Sequence, residues 1–119
     1  MANVCFYHIS YISGDKSAMK ELALYFKGKK EKKLGGVRTD ETYFDEKDLW
    51  IDGGCKWSAT TSMLEEGYYT RYTDTDLTNL ELLTKELGLK IRLVANESGC
   101  FVKEDYTIDN GIVYDNTML

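Results

Sequence analysis

The sequence predicts an α+β fold, in which two helices cover one face of a largely antiparallel sheet. Residues 3–12 and 90–96 are rich in β-branched and aromatic residues, as strands are. Residues 15–28 and 78–88 instead space their apolar residues as amphipathic helices do. At 119 residues the chain is expected to form one domain, residues 1–119.

The first elements are a strand, a helix and a loop. Residues 3–12 are apolar on both faces, which favours a central strand. Asp15 can cap the following helix, which is expected to end near Gly28. Residues 27–36 have five lysines among their first seven positions and end in two glycines, so they are predicted to form a solvated loop.

The remaining elements are two short strands, a helix, a further strand and a hairpin. Thr78 and Glu81 are spaced as a capping box, in which each side chain accepts a hydrogen bond from an exposed amide of the helix start. Gly88 is a typical helix stop. The predicted strands after the loop are 49–54, 67–73, 90–96, 100–108 and, after a turn at Asp109-Asn110-Gly111, 112–114.

This order is that of a ferredoxin-like βαββαβ sheet with a C-terminal β-hairpin extension. Four motifs occur in an order that matches a known family: "MANVC" at the start, "SGD" before the first helix, "GCKW" in the middle and "ESGCF" after the fourth core strand. On these motifs the chain resembles the YubB-like ferredoxin-type domain family of phage and plasmid proteins, from residue 1 to about 111. It departs from the family pattern in having Val4 in place of Trp, and in having no proline.

The resemblance implies a ferredoxin-like fold and an accessory role in a mobile genetic element, with no catalytic residues to carry over. The residue inventory agrees with a protein that is not an enzyme. His8 is the sole histidine, so any catalytic triad or histidine metal site must use it. Because it lies inside the first predicted strand, we expect His8 to be structural. Cys5, Cys55 and Cys100 form no CxxC pair, which argues against a disulfide framework or a zinc site. We therefore expect no catalytic residue, no metal and no cofactor.

The stretch "WIDGGCKWSATT", residues 50–61, is the strongest candidate for a reactive thiol, because Lys56 could lower the pKa of Cys55. Its two glycines equally favour a bend, and Trp50 and Trp57 favour packing anchors. Cys100 follows Ser98-Gly99 but lacks the second glycine of a nucleophile elbow. We predict that this stretch is scaffold and that Cys55 is a small buried residue.

Hydropathy and charge bear on location and partner. Apolar runs fall short of the ~20 residues of a membrane span, and residues 1–10 lack the pattern of a signal peptide. A cytoplasmic protein of a bacterial host, without membrane association, is expected. Residues 1–39 hold eight basic residues against three acids, a net +5, whereas residues 40–119 hold seven against seventeen, a net −10. An acidic surface suits a basic partner.

The leading hypothesis is a non-enzymatic phage protein that binds a host protein or ribonucleoprotein with a basic groove. A host-defence component is the expected target, as for an anti-CRISPR-type inhibitor. Tyrosines next to carboxylates can anchor such a partner and match its charge. The candidate partner-binding residues are Glu65, Glu66, Tyr68, Tyr69, Tyr72, Asp74 and Asp76.

The alternative hypothesis is a small nucleic-acid-binding module, although direct nucleic-acid binding is not the expected activity. Bases would stack on Tyr7 and Tyr11 of the sheet face, and lysines of the loop would contact phosphates. The loop residues in question are Lys27, Lys29, Lys30, Lys32 and Lys33. The oligomeric state, monomer or homodimer, is left open, because an unpaired edge strand can mediate a dimer.

Overall fold

A computed structural model describes residues 4–72, 75–97 and 103–117 of the chain. The strands are β1 (Val4–Ser13), β2 (Val37–Asp45), β3 (Trp50–Lys56), β4 (Lys90–Glu97), β5 (Lys103–Asp109) and β6 (Ile112–Asp115). The helices are α1 (Ser17–Phe26), α2 (Ala59–Met63), α3 (Tyr68–Arg71) and α4 (Leu80–Leu87). The fold class is α+β, as predicted, but the two expected helices are accompanied by two short ones, α2 and α3, which were not predicted from the sequence.

The six strands form one sheet in the order β2-β3-β1-β4-β5-β6, and every neighbouring pair is antiparallel. β1 lies between β3 and β4, which confirms that it is a central strand. Its side chains alternate: Cys5, Tyr7 and Ile9 are buried, whereas Phe6 and His8 are exposed. Because side chains alternate across a strand, the sheet has one covered face and one open face.

The helices cover one face of this sheet. Residues of α1, α2 and α4 join the inward residues of β1, β3, β4 and β5 in a single apolar core. Phe26 and Met19 of α1, Met63 of α2 and Leu83 of α4 are among its fully or almost fully buried side chains. Since helices and sheet share one core, these three helices lie on the same side of the sheet. Within the described residues, no helix is long and apolar enough to cross a membrane.

The helix boundaries agree closely with the sequence. The N-cap position of α1 is Lys16, without a side-chain cap, and not Asp15 as predicted; Asp15 Oδ1 nevertheless accepts hydrogen bonds from the amide and hydroxyl groups of Ser17, the first helical residue. α4 ends at Gly88, whose φ of 65° is the left-handed conformation expected of a glycine stop. Its start differs by one residue: the N-cap is Asn79, whose Oδ1 accepts from the amide of Leu82 at 2.9 Å. The predicted cap at Thr78 was therefore wrong.

Two other predictions of secondary structure were wrong. The second strand is β2, within which the register with β3 shifts between Arg38 and Tyr43. β2 was not predicted because its residues, VRTDETYFD, include three acids and show no regular alternation of polar and apolar types. The stretch 67–73 is not a strand but contains α3, where hydrogen bonds from Thr70 override the strand propensity of the tyrosines.

β5 and β6 are joined through Asn110 and Gly111, both at positive φ, 50° and 94°. This conformation suits the predicted Asn-Gly turn. The amide of Gly111 donates to Thr84 Oγ1 at 3.0 Å, and the amide of Asn110 donates to the carbonyl of Leu89. The turn between the last two strands is therefore fixed to α4.

Candidate binding surfaces

An exposed aromatic cluster, here called the tyrosine surface, consists of Trp57, Tyr68, Tyr69 and Tyr72. Tyr68 meets Tyr69 edge to face, with ring centroids 5.3 Å apart, and its centroid lies 5.7 Å from that of Tyr72. Trp57 Nε1 donates a hydrogen bond to Tyr69 Oη at 2.9 Å. Tyr68 and Tyr72 nevertheless remain 57% and 68% exposed. The three predicted tyrosines are thus brought together, but on a helix and not on the two faces of a strand.

The turn that precedes α3 holds this surface in place. Thr70 is buried, and its hydroxyl donates to the carbonyls of Leu64 (2.6 Å) and Gly67 (2.9 Å). The carboxylate of Glu81, on α4, accepts from the amide of Glu65 at 3.0 Å. Burial raises the pKa of Glu81, because its charged form is half desolvated. Glu81 therefore connects the turn before the tyrosine surface to the first turn of α4.

Charges around the tyrosine surface are mixed. Glu65 and Glu66 are exposed, as predicted, but two cations lie among the same residues. Lys56 Nζ lies 5.2 Å from the ring centroid of Tyr69, and Arg71 Nε donates to the carbonyl of Glu65 at 2.6 Å. Aromatic contact is therefore a stronger feature of this surface than net negative charge.

The two remaining candidate partner residues are placed differently. Asp76 is exposed, and its carbonyl accepts from the amide of Lys33 at 2.8 Å, in a short parallel bridge formed by Lys33 and Leu77. Asp74 lies outside the described residues. Asp76 and Leu77 thus lie beside Lys33 of the lysine loop, a proximity that the sequence did not indicate.

The lysine loop lies on the helix side of the sheet. Lys30 Nζ forms an ion pair with Glu21 of α1 at 2.8 Å, and Leu34 enters the core. The other four candidate lysines are exposed: Lys27, Lys29, Lys32 and Lys33. Because the loop contacts α1 and the segment before α4, it does not continue onto the open face of the sheet.

The two tyrosines proposed to stack bases do not belong to the open face either. Tyr7 is 2% exposed, its ring packs against Phe26, and its hydroxyl lies 3.4 Å from Thr42 Oγ1. Burial raises the pKa of Tyr7 well above its usual value. Tyr11 packs against the core, and its hydroxyl donates to the carbonyl of Gly14. The predicted stacking role of these tyrosines was wrong.

Cys55 is fully buried, as predicted. It lies opposite Cys5 in the pairing of β1 with β3, and both are free thiols. The contact with Cys5 and burial together raise the pKa of Cys55. A raised pKa disfavours the nucleophilic thiolate, in spite of the neighbouring Lys56. Cys100 lies outside the described residues.

The open face of the sheet carries a groove of about 560 Å³. We call it the sheet groove. Its exposed ring is Phe6, which lies opposite Gly54 on β3 and Asn96 on β4. The charged lining residues are Glu41 and Asp52. The full lining comprises Phe6, His8, Glu41, Asp52, Gly53, Gly54, Val94, Asn96 and also Tyr7, although the ring of Tyr7 packs on the covered face.

One wall of the sheet groove is extended by a row of three rings. His8, which lines the groove, has its ring centroid 5.5 Å from that of Trp50, and Trp50 is 5.3 Å from Tyr43. His8 Nδ1 contacts Asp52 Oδ1 in a close hydrogen-bonded pair. His8 is thus an exposed group beside the groove, and Trp50, which is partly exposed, packs at the rim between His8 and Tyr43.

Sequence reasoning missed the sheet groove, although one signal was present. In "CFYHIS" the residues Phe6, His8 and Ser10 alternate with Cys5, Tyr7 and Ile9. The polar residues all fall in the first set, which therefore marks the outward face. The partners of that set on β2, β3 and β4 follow only from the strand pairing.

Beyond the groove, the open face carries an ion pair. Arg92 Nε and Nη2 donate to the two oxygens of Asp105 at 3.0 and 2.6 Å, and Asn116 Nδ2 donates to Asp105 Oδ1 at 2.9 Å. These bonds hold the pKa of Asp105 at about 2, below its usual value. The carboxylate is mostly buried under its partners, whereas Arg92 is half exposed.

No family model, curated protein or solved structure matched this chain. Function is therefore inferred from the two surfaces and from the sequence motifs.

Proposed function

We propose that this protein is a non-enzymatic accessory protein of a phage or plasmid that binds a host macromolecule through its tyrosine surface. The observation that carries the proposal is that Tyr68 and Tyr72 are highly exposed and yet held in contact with each other. Aromatic side chains that are already ordered lose little conformational entropy on binding. Tyr and Trp are also the residues most enriched among interface hot spots.

We infer that the first four strands form a ferredoxin-like unit. Their order in the sheet is β2-β3-β1-β4, and α1 connects β1 to β2. A split βαβ unit has this arrangement, since β3 lies between the two strands that the helix connects. β5 and β6 then form an extension beyond β4. This reading supports the resemblance to the YubB-like family and, through it, a role in a mobile element.

The proposed target is a host-defence complex with a basic groove, as for an anti-CRISPR-type inhibitor. The net charge of −5 supports a basic partner. The tyrosine surface itself is nearly balanced, because Lys56 and Arg71 accompany Glu65 and Glu66. We therefore assign anchoring to the aromatic rings, and long-range attraction to acidic residues elsewhere on the protein.

The test is capture of a defined target. Purified defence ribonucleoproteins and bacterial lysate are passed over immobilised protein, with and without nuclease, and captured complexes are assayed for binding of their nucleic-acid substrate. The double variant Tyr68→Ala/Tyr72→Ala should lose capture by about tenfold or more, the usual effect of removing hot-spot residues. Tyr114→Ala is the matched control, because Tyr114 is also half exposed but lies on β6.

A nuclease-resistant complex that fails to bind its substrate, and that requires Tyr68 and Tyr72 but not Tyr114, is the expected result. Recovery of nucleic acid alone, or of partners that nuclease releases, would contradict the proposal and would favour a nucleic-acid-binding module that uses the lysine loop. Equal capture by both variants would show that the tyrosine surface is not the contact.

A further inference from the structure

We propose that the sheet groove is a second binding site, which takes an arginine side chain from a basic segment of a protein partner. The site is separate from the tyrosine surface: it lies on the open face of the sheet, whereas α3 packs against α2 on the helix side. The proposal rests on the shape, aromatic lining and charge of the groove, and it stands whether or not the tyrosine surface binds anything.

Aromatic rings line the sheet groove and continue beyond one of its walls. Phe6 is 58% exposed although it lies on the central strand of the sheet. His8, Trp50 and Tyr43 extend the lining towards β2 through consecutive ring contacts of 5.5 and 5.3 Å. The exposed rings of Phe6 on the central strand and Tyr43 on the edge strand β2 are available for stacking with a planar group, because the described helices lie on the other side of the sheet.

The groove is acidic. Its lining holds two carboxylates, Glu41 and Asp52, and neither lysine nor arginine. Asp52 Oδ1 is engaged by His8, but within residues 4–72, 75–97 and 103–117 no hydrogen bond is made by Asp52 Oδ2 or by either oxygen of Glu41. The Arg38 side chain lies beside Glu41 over Gly54, but among these residues its buried Nε makes no hydrogen bond and it forms no ion pair with Glu41. Three carboxylate oxygens thus remain for a ligand.

The surrounding hairpin adds to this negative potential. Residues 38–52 contain six carboxylates against two basic residues, a net charge of −4. Phosphate groups would be repelled here, so a nucleic-acid strand is not the favoured occupant in spite of the rings. A cationic ligand gains both from the carboxylates and from the negative faces of the rings.

Guanidinium fits these features better than ammonium does. It is planar, so it can stack on an aromatic ring while its edge donates two hydrogen bonds to a carboxylate. The groove offers an aromatic face at Phe6 and free carboxylate oxygens at Glu41 and Asp52. The ammonium group of lysine would neutralise the carboxylates, but it is not planar and could not stack on the ring of Phe6.

The chain contains two tryptophans, one beside each surface, which allows the groove to be observed separately. In Trp57→Phe the remaining reporter is Trp50, next to His8. This variant is titrated with a capped Gly-Arg-Gly-Arg-Gly peptide and with the same peptide in which citrulline replaces arginine. Citrulline keeps the planar shape and removes the charge. We expect Trp50 fluorescence to change only with the arginine peptide, with an affinity in the millimolar range at low salt.

Glu41→Gln, made in the Trp57→Phe background, should weaken arginine binding by about fivefold, the effect of losing one surface ion pair. Because Glu41 is exposed, this variant should fold normally, which circular dichroism checks. Equal response to the citrulline peptide, or unchanged binding after Glu41→Gln, would overturn the proposal. A Trp50 response to a ten-residue oligothymidine would also overturn it, in favour of a nucleic-acid site.

The converse variant, Trp50→Phe, leaves Trp57 as a reporter of the tyrosine surface. Capture of a defence complex by immobilised Trp50→Phe tests the proposed function in a protein that lacks the tryptophan beside the groove. Loss of arginine binding in one experiment and loss of capture in the other are therefore separate outcomes.

Discussion

The tyrosine surface and the sheet groove differ in how the chain assembles them. The tyrosine surface comes from residues 57–72, which are neighbours in sequence and are joined by local hydrogen bonds. The sheet groove takes side chains from four strands, and its lining extends from Phe6 to Asn96. The first surface can be found by scanning the sequence for a cluster of residue types. The second exists only once the order and register of the strands are known.

The difference extends to stability. The tyrosine surface depends on a buried hydroxyl and backbone carbonyls, whereas the groove is part of the central sheet. A disturbance of the groove floor should therefore cost more folding free energy than a disturbance of the turn before α3. The stability contributed by the neutral hydrogen bonds of Thr70 should not change in acid, whereas that of the Arg92–Asp105 ion pair should fall. Three predictions test this contrast.

The largest effect is expected at Gly53 of β3, which lies beneath the groove and faces the covered side of the sheet. A Cβ at Gly53 would lie 2.5 Å from Tyr7 Oη and 2.8 Å from Tyr7 Cζ. That ring is buried against Phe26 and cannot move aside. Gly53→Ala should therefore lower the free energy of unfolding by about 2 to 3 kcal/mol, as over-packing of a core does. Urea denaturation followed by circular dichroism measures this change.

Gly54→Ala is the matched control for this prediction. A Cβ there would contact the Glu41 carboxylate, the far end of an exposed side chain that can swing away. Its stability should change by less than about 1 kcal/mol, although arginine binding should weaken because Glu41 is displaced. Equal destabilisation by the two alanines would show that the covered and open faces are not distinguished as described.

Much of the fold followed from local patterns. α1 and α4 were predicted from apolar spacing, and their ends near Gly28 and at Gly88 were predicted from glycine. β1 was predicted from its residue types and its central position is confirmed, although one of the two faces taken as apolar is open and carries His8 and Ser10. These features depend on interactions between residues a few positions apart, which the sequence displays directly.

The errors arose where distant contacts decide the structure. β2 contains strand-favouring residues, but its three acids interrupt them without alternation, so that only the pairing with β3 identifies the strand. The tyrosines of α3 have strand propensity, but the hydroxyl of Thr70 closes a helical turn. His8 was expected to have a structural role within the first strand, and only the pairing with β3 shows that it meets Asp52 in a groove.

An intermediate effect is expected at the turn beneath the tyrosine surface. Thr70→Val keeps the shape of the side chain but removes a buried hydroxyl that donates to Leu64 and Gly67. Each carbonyl keeps a backbone donor, the amide of Gly67 for Leu64 and the amide of Thr70 for Gly67, so the expected cost is that of one net hydrogen bond, about 1 kcal/mol of unfolding free energy. The tyrosines of α3 should also become less ordered. Because Trp57 donates a hydrogen bond to Tyr69, its fluorescence should then change, as measured in the Trp50→Phe background.

Thr70→Ser keeps the hydroxyl and serves as the control. It should recover most of the stability and the Trp57 signal. If serine were as damaging as valine, the methyl group and not the hydrogen bonds would hold α3, and the account of this surface would need revision.

The smallest effect is expected at the ion pair of the open face, and it should depend on pH. Arg92 and Asn116 hold the pKa of Asp105 at about 2 in the folded protein, against 3.8 for an ordinary aspartate. A lowered pKa means that folding favours the carboxylate, so Asp105 stabilises the protein above pH 3.8 and loses this contribution as pH falls through about 2. Asp105→Asn should therefore lower the Tm at pH 7, and the gap to the wild type should close towards pH 2. Because Arg92 is half exposed, we expect the loss of unfolding free energy to be less than about 1 kcal/mol.

Thr70→Val is the control, because it removes a neutral group, and its Tm should stay below that of the wild type at pH 7 and at pH 2 alike. If the Tm of Asp105→Asn also stayed below that of the wild type at pH 2, the contribution of Asp105 would come from its packing and not from its charge.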